Sequence, residues 1–93
     1  MIDVKHSSGE EWLVTIKSSA TTQHRVRVTK ADAERLAAGR SAEELIRESF
    51  RFLLERESNT SILRSFDLPV IGSYFPEYEQ EIQQRLERRS SGA

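Results

Sequence analysis

No cysteine occurs in the sequence, which excludes a disulfide framework and any thiolate metal site. Glycine and proline are also scarce, and Gly39 has no neighbouring glycine with which to form a phosphate-cradling loop. No stretch approaches the ~20 apolar residues of a membrane span. Residues 1–12 are polar and lack the apolar run of a secretory signal. These absences make the cytoplasm the expected location. An excess of either charge is missing too, since 14 basic residues face 15 acidic ones, for a net charge of −1. Dedicated nucleic-acid binders carry a basic excess because phosphate neutralisation drives their affinity. The balance here argues against that role for the chain as a whole and leaves open a local patch.

What remains is an ordinary globular composition, 37% hydrophobic and 31% charged in 93 residues. That is too apolar for a disordered chain, and long enough for one modest core. There is no internal repeat, linker or low-complexity segment. In the first 29 residues the hydrophobic pattern has period two. Ile2 and Val4 alternate with polar neighbours, as do Trp12, Val14 and Ile16, and then His24, Val26 and Val28. Serine-rich turns around Gly9 and Ala20 separate the three runs. Alternation of this kind gives one buried and one wet sheet face, and the short connections imply antiparallel pairing.

The period then changes. Thr29 and Asp32 mark a helix start, with Ala33, Leu36 and Ala37 on one face and Gly39 placed to end it in a left-handed conformation. Ser41 and Glu44 form a capping-box pattern. Behind them Ala42, Leu45, Ile46, Ser49, Phe50 and Leu53 follow helical spacing, predicting a helix to about Glu57. Phe52 and Leu54 widen the apolar stripe, which implies contact with both the sheet and another helix. Residues 58–61 break the pattern. Asp67 with Pro69 reads as another start, and Pro76 opens a last helix in which Tyr78, Ile82 and Leu86 recur every four residues.

The expected architecture is α+β: a three-stranded antiparallel meander, with residues 12–17 at its centre, followed by helices packed on one face (βββααα). Residues 1–89 form a single domain and residues 90–93 a loose tail. The expected core is Trp12, Val14, Ile16, Val26, Val28, Leu36, Leu45, Ile46, Phe50, Leu53 and Phe66.

Nothing in the sequence resembles a catalytic motif. The two histidines, His6 and His24, lie in strand patterns where a half-exposed histidine is the ordinary explanation, and no pair has diagnostic metal-ligand spacing. No cofactor is expected. Glu44, Arg47, Glu48 and Arg51 have the spacing of ion pairs that solvate a helix face.

Two segments carry functional expectations. The first is residues 23–29, where Gln23, Arg25 and Arg27 occupy one face of a strand that leads into a short helix, a glycine turn and a longer helix. Over residues 23–57 this order resembles the ribbon-helix-helix DNA-binding proteins. The resemblance implies a dimer whose paired strands enter the major groove, with Gln23, Arg25 and Arg27 reading bases and the helix start near Ser41 holding a phosphate. The simpler account places Arg25 and Arg27 on the solvent face of an edge strand, where charge discourages unwanted pairing.

The second is the apolar C-terminal half, with Phe66, Leu68, Val70, Ile71, Tyr74, Phe75 and Tyr78. Most of these should complete the core. Tyr74, Phe75 and Tyr78 are the candidates for an exposed anchor patch on which a protein partner docks, and the stripe of Tyr78, Ile82 and Leu86 could pair with its copy in a dimer. Membrane-surface binding is disfavoured because the last helix mixes acidic with basic residues. Residues 61–79 resemble those of a group of small, uncharacterised bacterial proteins, which implies a bacterial cytosolic origin and transfers no activity. The expectation is therefore a non-catalytic module that binds another protein or itself, with a DNA-binding regulator or antitoxin as the alternative.

Overall fold

A computed structural model describes residues 1–37 and 39–91. The period-two segments form β1 (Ile2–Ser8), β2 (Glu11–Lys17) and β3 (Thr21–Arg27), paired antiparallel in that order. The register aligns Val4 with Val14 and Val14 with His24, so one face is continuous across the strands. On the other face, Lys5 aligns with Leu13 and Leu13 with Arg25. Gly9 turns the chain between β1 and β2 at a φ of +54°, a conformation that costs other residues.

The sheet has a fourth strand that the sequence pattern did not reveal. β4 (Ser65–Asp67) pairs with β3 in parallel, Val26 opposite Phe66, giving the order β1-β2-β3-β4. The expected three-stranded meander is therefore a mixed four-stranded sheet. A parallel partner requires a long crossover, and the two helices after β3 supply it. A strand of this length, with a single inward residue, leaves no readable alternation.

The crossover contains α1 (Lys30–Leu36) and α2 (Ala42–Leu54). The Thr29 hydroxyl accepts from the Asp32 amide at 3.1 Å and starts α1. Gly39 follows with φ +83°, the left-handed stop that its position implied. The Ser41 hydroxyl accepts from the Glu44 amide at 3.1 Å. The Glu44 carboxylate takes the Arg40 guanidinium at 2.7 Å, and this cation holds it below the usual carboxylate range. α2 ends at Leu54, before the expected Glu57, where the Arg56 amide switches to the Leu53 carbonyl three residues back, at 2.9 Å, and the Phe52 carbonyl accepts from the Arg56 guanidinium at 3.1 Å.

Beyond α2 come a short 3-10 turn (Asn59–Ser61), β4, a second such turn (Leu68–Val70) with Pro69 in its first positions, α3 (Ile71–Tyr74) and α4 (Tyr78–Ser91). The tail expected from residue 90 begins inside α4, and residues 92 and 93 lie outside the described residues. No helix among the described residues is long and apolar enough to cross a membrane.

The wide stripe of α2 packs in two directions. Phe50 is buried toward the sheet, its ring centre 5.5 Å from His24 and 6.0 Å from Phe66. Phe52 is buried toward α4, 5.3 Å from Tyr78 and 5.8 Å from Phe75. Tyr78, Ile82 and Leu86 are fully buried within the same chain, so they are not free to pair with a second copy. At the surface Arg56 and Arg85 hold Glu55 and Glu81, tying α2 to α4. Trp12 and Phe66, expected in the core, are half-buried at its border.

Candidate functional site

Pro69 begins the turn before α3, and the extended backbone of Phe75 ahead of Pro76 ends it. With only four residues in α3, the segment turns each side chain to a different neighbour. Ile71 points into the core, Phe75 rests half-buried on Phe52, and Tyr74 is left 65% exposed. Facing α3 are Leu53 at the end of α2, Glu57, Ile62 and Leu63 in the segment that follows, and Phe66 on β4. Together they enclose a mostly apolar crevice of about 170 Å³. Its rim carries Leu63, 46% exposed, beside Tyr74. Apart from Met1, these are the large hydrophobic side chains exposed among the described residues.

A buried polar chain fixes the loop that carries Leu63. The Asn59 side-chain amide donates to the Ala20 carbonyl at 2.9 Å and to the Thr22 hydroxyl at 3.0 Å. His24 Nε2 lies 2.9 Å from the Thr22 hydroxyl, and Nδ1 lies 2.7 Å from the Leu63 carbonyl. A carbonyl can only accept, so Nδ1 carries a proton. In the neutral ring Nε2 then accepts from Thr22. Burial lowers the His24 pKa, the Leu63 hydrogen bond opposes that shift, and the Arg64 charge reinforces it. Expected to be half-exposed, His24 is instead fully buried and serves as a bracket between β3 and the crevice loop. Its alternation with Val26 was the signal for burial.

Of the expected anchor residues, Tyr74 and Phe75 line the crevice, whereas Tyr78 does not. Tyr78 is buried between α2 and α4 with its hydroxyl on Ser49, so a partner cannot reach it. Leu63, Phe66 and Ile71 belong to the crevice and were missed as site residues, because they read as ordinary core in a one-dimensional pattern.

Gln23, Arg25 and Arg27 lie exposed on the sheet face away from the helices. Arg27 holds Glu10 at 3.2 Å. Gln23 and Arg25 border an open depression with Leu13, Arg64 and Ser65. β3 is an interior strand, paired with β2 on one side and, at Arg25–Arg27, with β4 on the other. A ribbon made with a second copy's β3 would need a free edge there.

His6 is exposed on β1, where Nε2–H donates to the Gly9 carbonyl at 2.7 Å and the ring lies 4.8 Å from Trp12. Among the described residues no group of three or more histidines and carboxylates is placed to hold a metal ion. The polar side chains lining the crevice are the hydroxyls of Ser61 and Tyr74 and the carboxylate of Glu57. The rest of its lining is apolar, as in pockets that bury an apolar group.

No protein-family model, curated protein or solved structure matches the chain.

Proposed function

We propose that this chain is a non-catalytic protein-interaction module of the bacterial cytoplasm, and that it receives a large apolar side chain of a partner protein in the crevice bordered by Leu63, Phe66, Tyr74 and Phe75. The observation that carries this reading is the coincidence of exposure with concavity. The exposed Tyr74 and Leu63 border the same apolar cavity. A cavity near 150 Å³ accommodates a benzene-sized group, so a volume of about 170 Å³ suits one aromatic or branched aliphatic anchor. Interfaces commonly concentrate their energy in such anchors.

The experiment is photo-crosslinking in bacterial lysate from position 74, with a matched cross-linker at Thr15 on the opposite sheet face. A protein captured from position 74 alone, and lost when Leu63→Glu is added, is the expected outcome. The same products from both positions would refute the reading, and a cross-link to this chain itself would make the partner a second copy. Tyr74→Ala should leave stability within about 0.5 kcal/mol, as for an exposed residue. Phe75→Ala should weaken both binding and stability, because Phe75 also packs on Phe52.

A DNA-binding reading on the outer sheet face has Arg25 and Arg64 in its favour. Against it stand the pairing of both sides of β3 and the acidic Asp3, Glu11 and Asp67, which share that face with Lys5, Lys17 and Arg27. It requires salt-dependent binding to duplex DNA that Arg25→Ala abolishes.

A further inference from the structure

We infer that the partner enters as an extended strand along the free edge of β4, with an acidic residue beside Ser65 and a large apolar residue one position away, beside Phe66. This inference rests on the crevice reading and specifies what fills it.

The first support is the ladder. Among the described residues β4 ends the sheet, with β3 on one side and no strand on the other. The Arg25 amide donates to the Arg64 carbonyl at 2.7 Å while Arg25 is aligned with Ser65. In a parallel ladder a residue bonds the two neighbours of its partner, so the backbone groups of Ser65 and Asp67 face away from β3. An incoming strand can bond them.

The second support is the difference between the two faces of β4. Phe66 points to the helix side and lines the apolar crevice. Ser65 belongs to the outer side and borders the depression shared with Gln23, Arg25 and Arg64. Successive residues of an added strand point to opposite faces, so neighbouring partner residues would meet an apolar cavity and two guanidiniums.

The third support is charge. Arg27, Arg35, Arg40, Arg47, Arg51, Arg56 and Arg85 each hold a carboxylate. Arg25 and Arg64 hold none among the described residues, although they border the same depression. A partner carboxylate in that depression would accept donors from both. Asp67 sits farther along the same face, aligned with Arg27, so the acidic position is the one beside Ser65.

The test uses three acetylated octapeptides, one alternating glutamate with leucine, one alternating lysine with leucine, and one with glutamates and leucines in separate blocks. Binding is followed by amide spectra and hydrogen exchange of the full chain. The alternating glutamate peptide should bind best, slow exchange at the Ser65 and Asp67 amides, and weaken about tenfold with Arg25→Gln plus Arg64→Gln. Arg25→Glu plus Arg64→Glu should transfer the preference to the lysine peptide, a gain that a misfolded variant cannot mimic. Equal binding of the glutamate and lysine peptides, equal binding of the blocked peptide, or no binding of any of them would overturn the strand inference. Binding that needs Leu63 and Tyr74 but ignores both arginines would overturn it and leave the crevice reading standing.

Discussion

The hydroxyls of Tyr78 and Ser49 meet at 2.7 Å inside the interface of α2 and α4, where both residues are fully buried. The Ser49 hydroxyl donates to the Leu45 carbonyl at 2.7 Å. Tyr78 must therefore be the donor between the two hydroxyls. Burial pushes its phenol well above the ordinary tyrosine range, and it stays protonated.

That direction ranks two substitutions. Tyr78→Phe removes the donor and leaves Ser49 still bonded to Leu45, so it should cost about 1 kcal/mol. Ser49→Ala strands a buried phenolic hydrogen and should cost more, about 1–3 kcal/mol. In the double variant the second loss should be smaller than it is alone. Urea unfolding of the three variants measures this, and the reverse ranking would mean the donor assignment is wrong.

His24 links stability to pH. Its pKa in the fold lies below the ordinary value of 6.5, mainly through burial. The native state therefore favours the neutral ring. The contribution is fully present above the unfolded value and is lost as pH falls from there toward the lower folded value. Urea midpoints between pH 8 and 5 should decline on the acid side of about 6.5, and His24→Asn should flatten that decline while lowering stability throughout. An unchanged slope in the variant would remove His24 as its source.

Phe50 bridges α2 to the sheet between His24 and Phe66. Phe50→Ala should cost about 3–5 kcal/mol, as for other buried aromatics. Wild-type stability in urea would contradict its place in the core.

Gly39 tests backbone conformation without packing. A Cβ built there meets no atom within 4 Å, yet φ is +83°. Gly39→Ala should cost about 1–2 kcal/mol from the left-handed conformation alone, and Gly39→Asn should recover part of it. Thermal or urea unfolding of the pair would decide this, and a neutral alanine variant would mean the turn readjusts.

Much of the molecule is legible in the sequence because the relevant physics is local. Alternation set the inward faces of β1, β2 and β3. Thr29, Ser41 and Gly39 marked helix ends through bonds and dihedrals within a few residues of themselves. The four-residue recurrence grouped Tyr78, Ile82 and Leu86 on one side of α4, although Tyr78, expected as an exposed anchor, is buried there.

The tertiary structure decided what depends on residues far apart in the chain. β4 exists because the crossover returns Phe66 beside Val26, a pairing that a strand this short does not announce. Tyr74 and Tyr78 are both aromatic and only one turn apart in sequence, but the break at Phe75 and Pro76 sends one to the rim and the other into the core. His24 became a bracket when Asn59 and Leu63 arrived from across the fold. Periodicity records which side of an element is buried, because burial repeats with the geometry of that element. It does not record what lies opposite, and that is set by packing between elements that are distant in sequence.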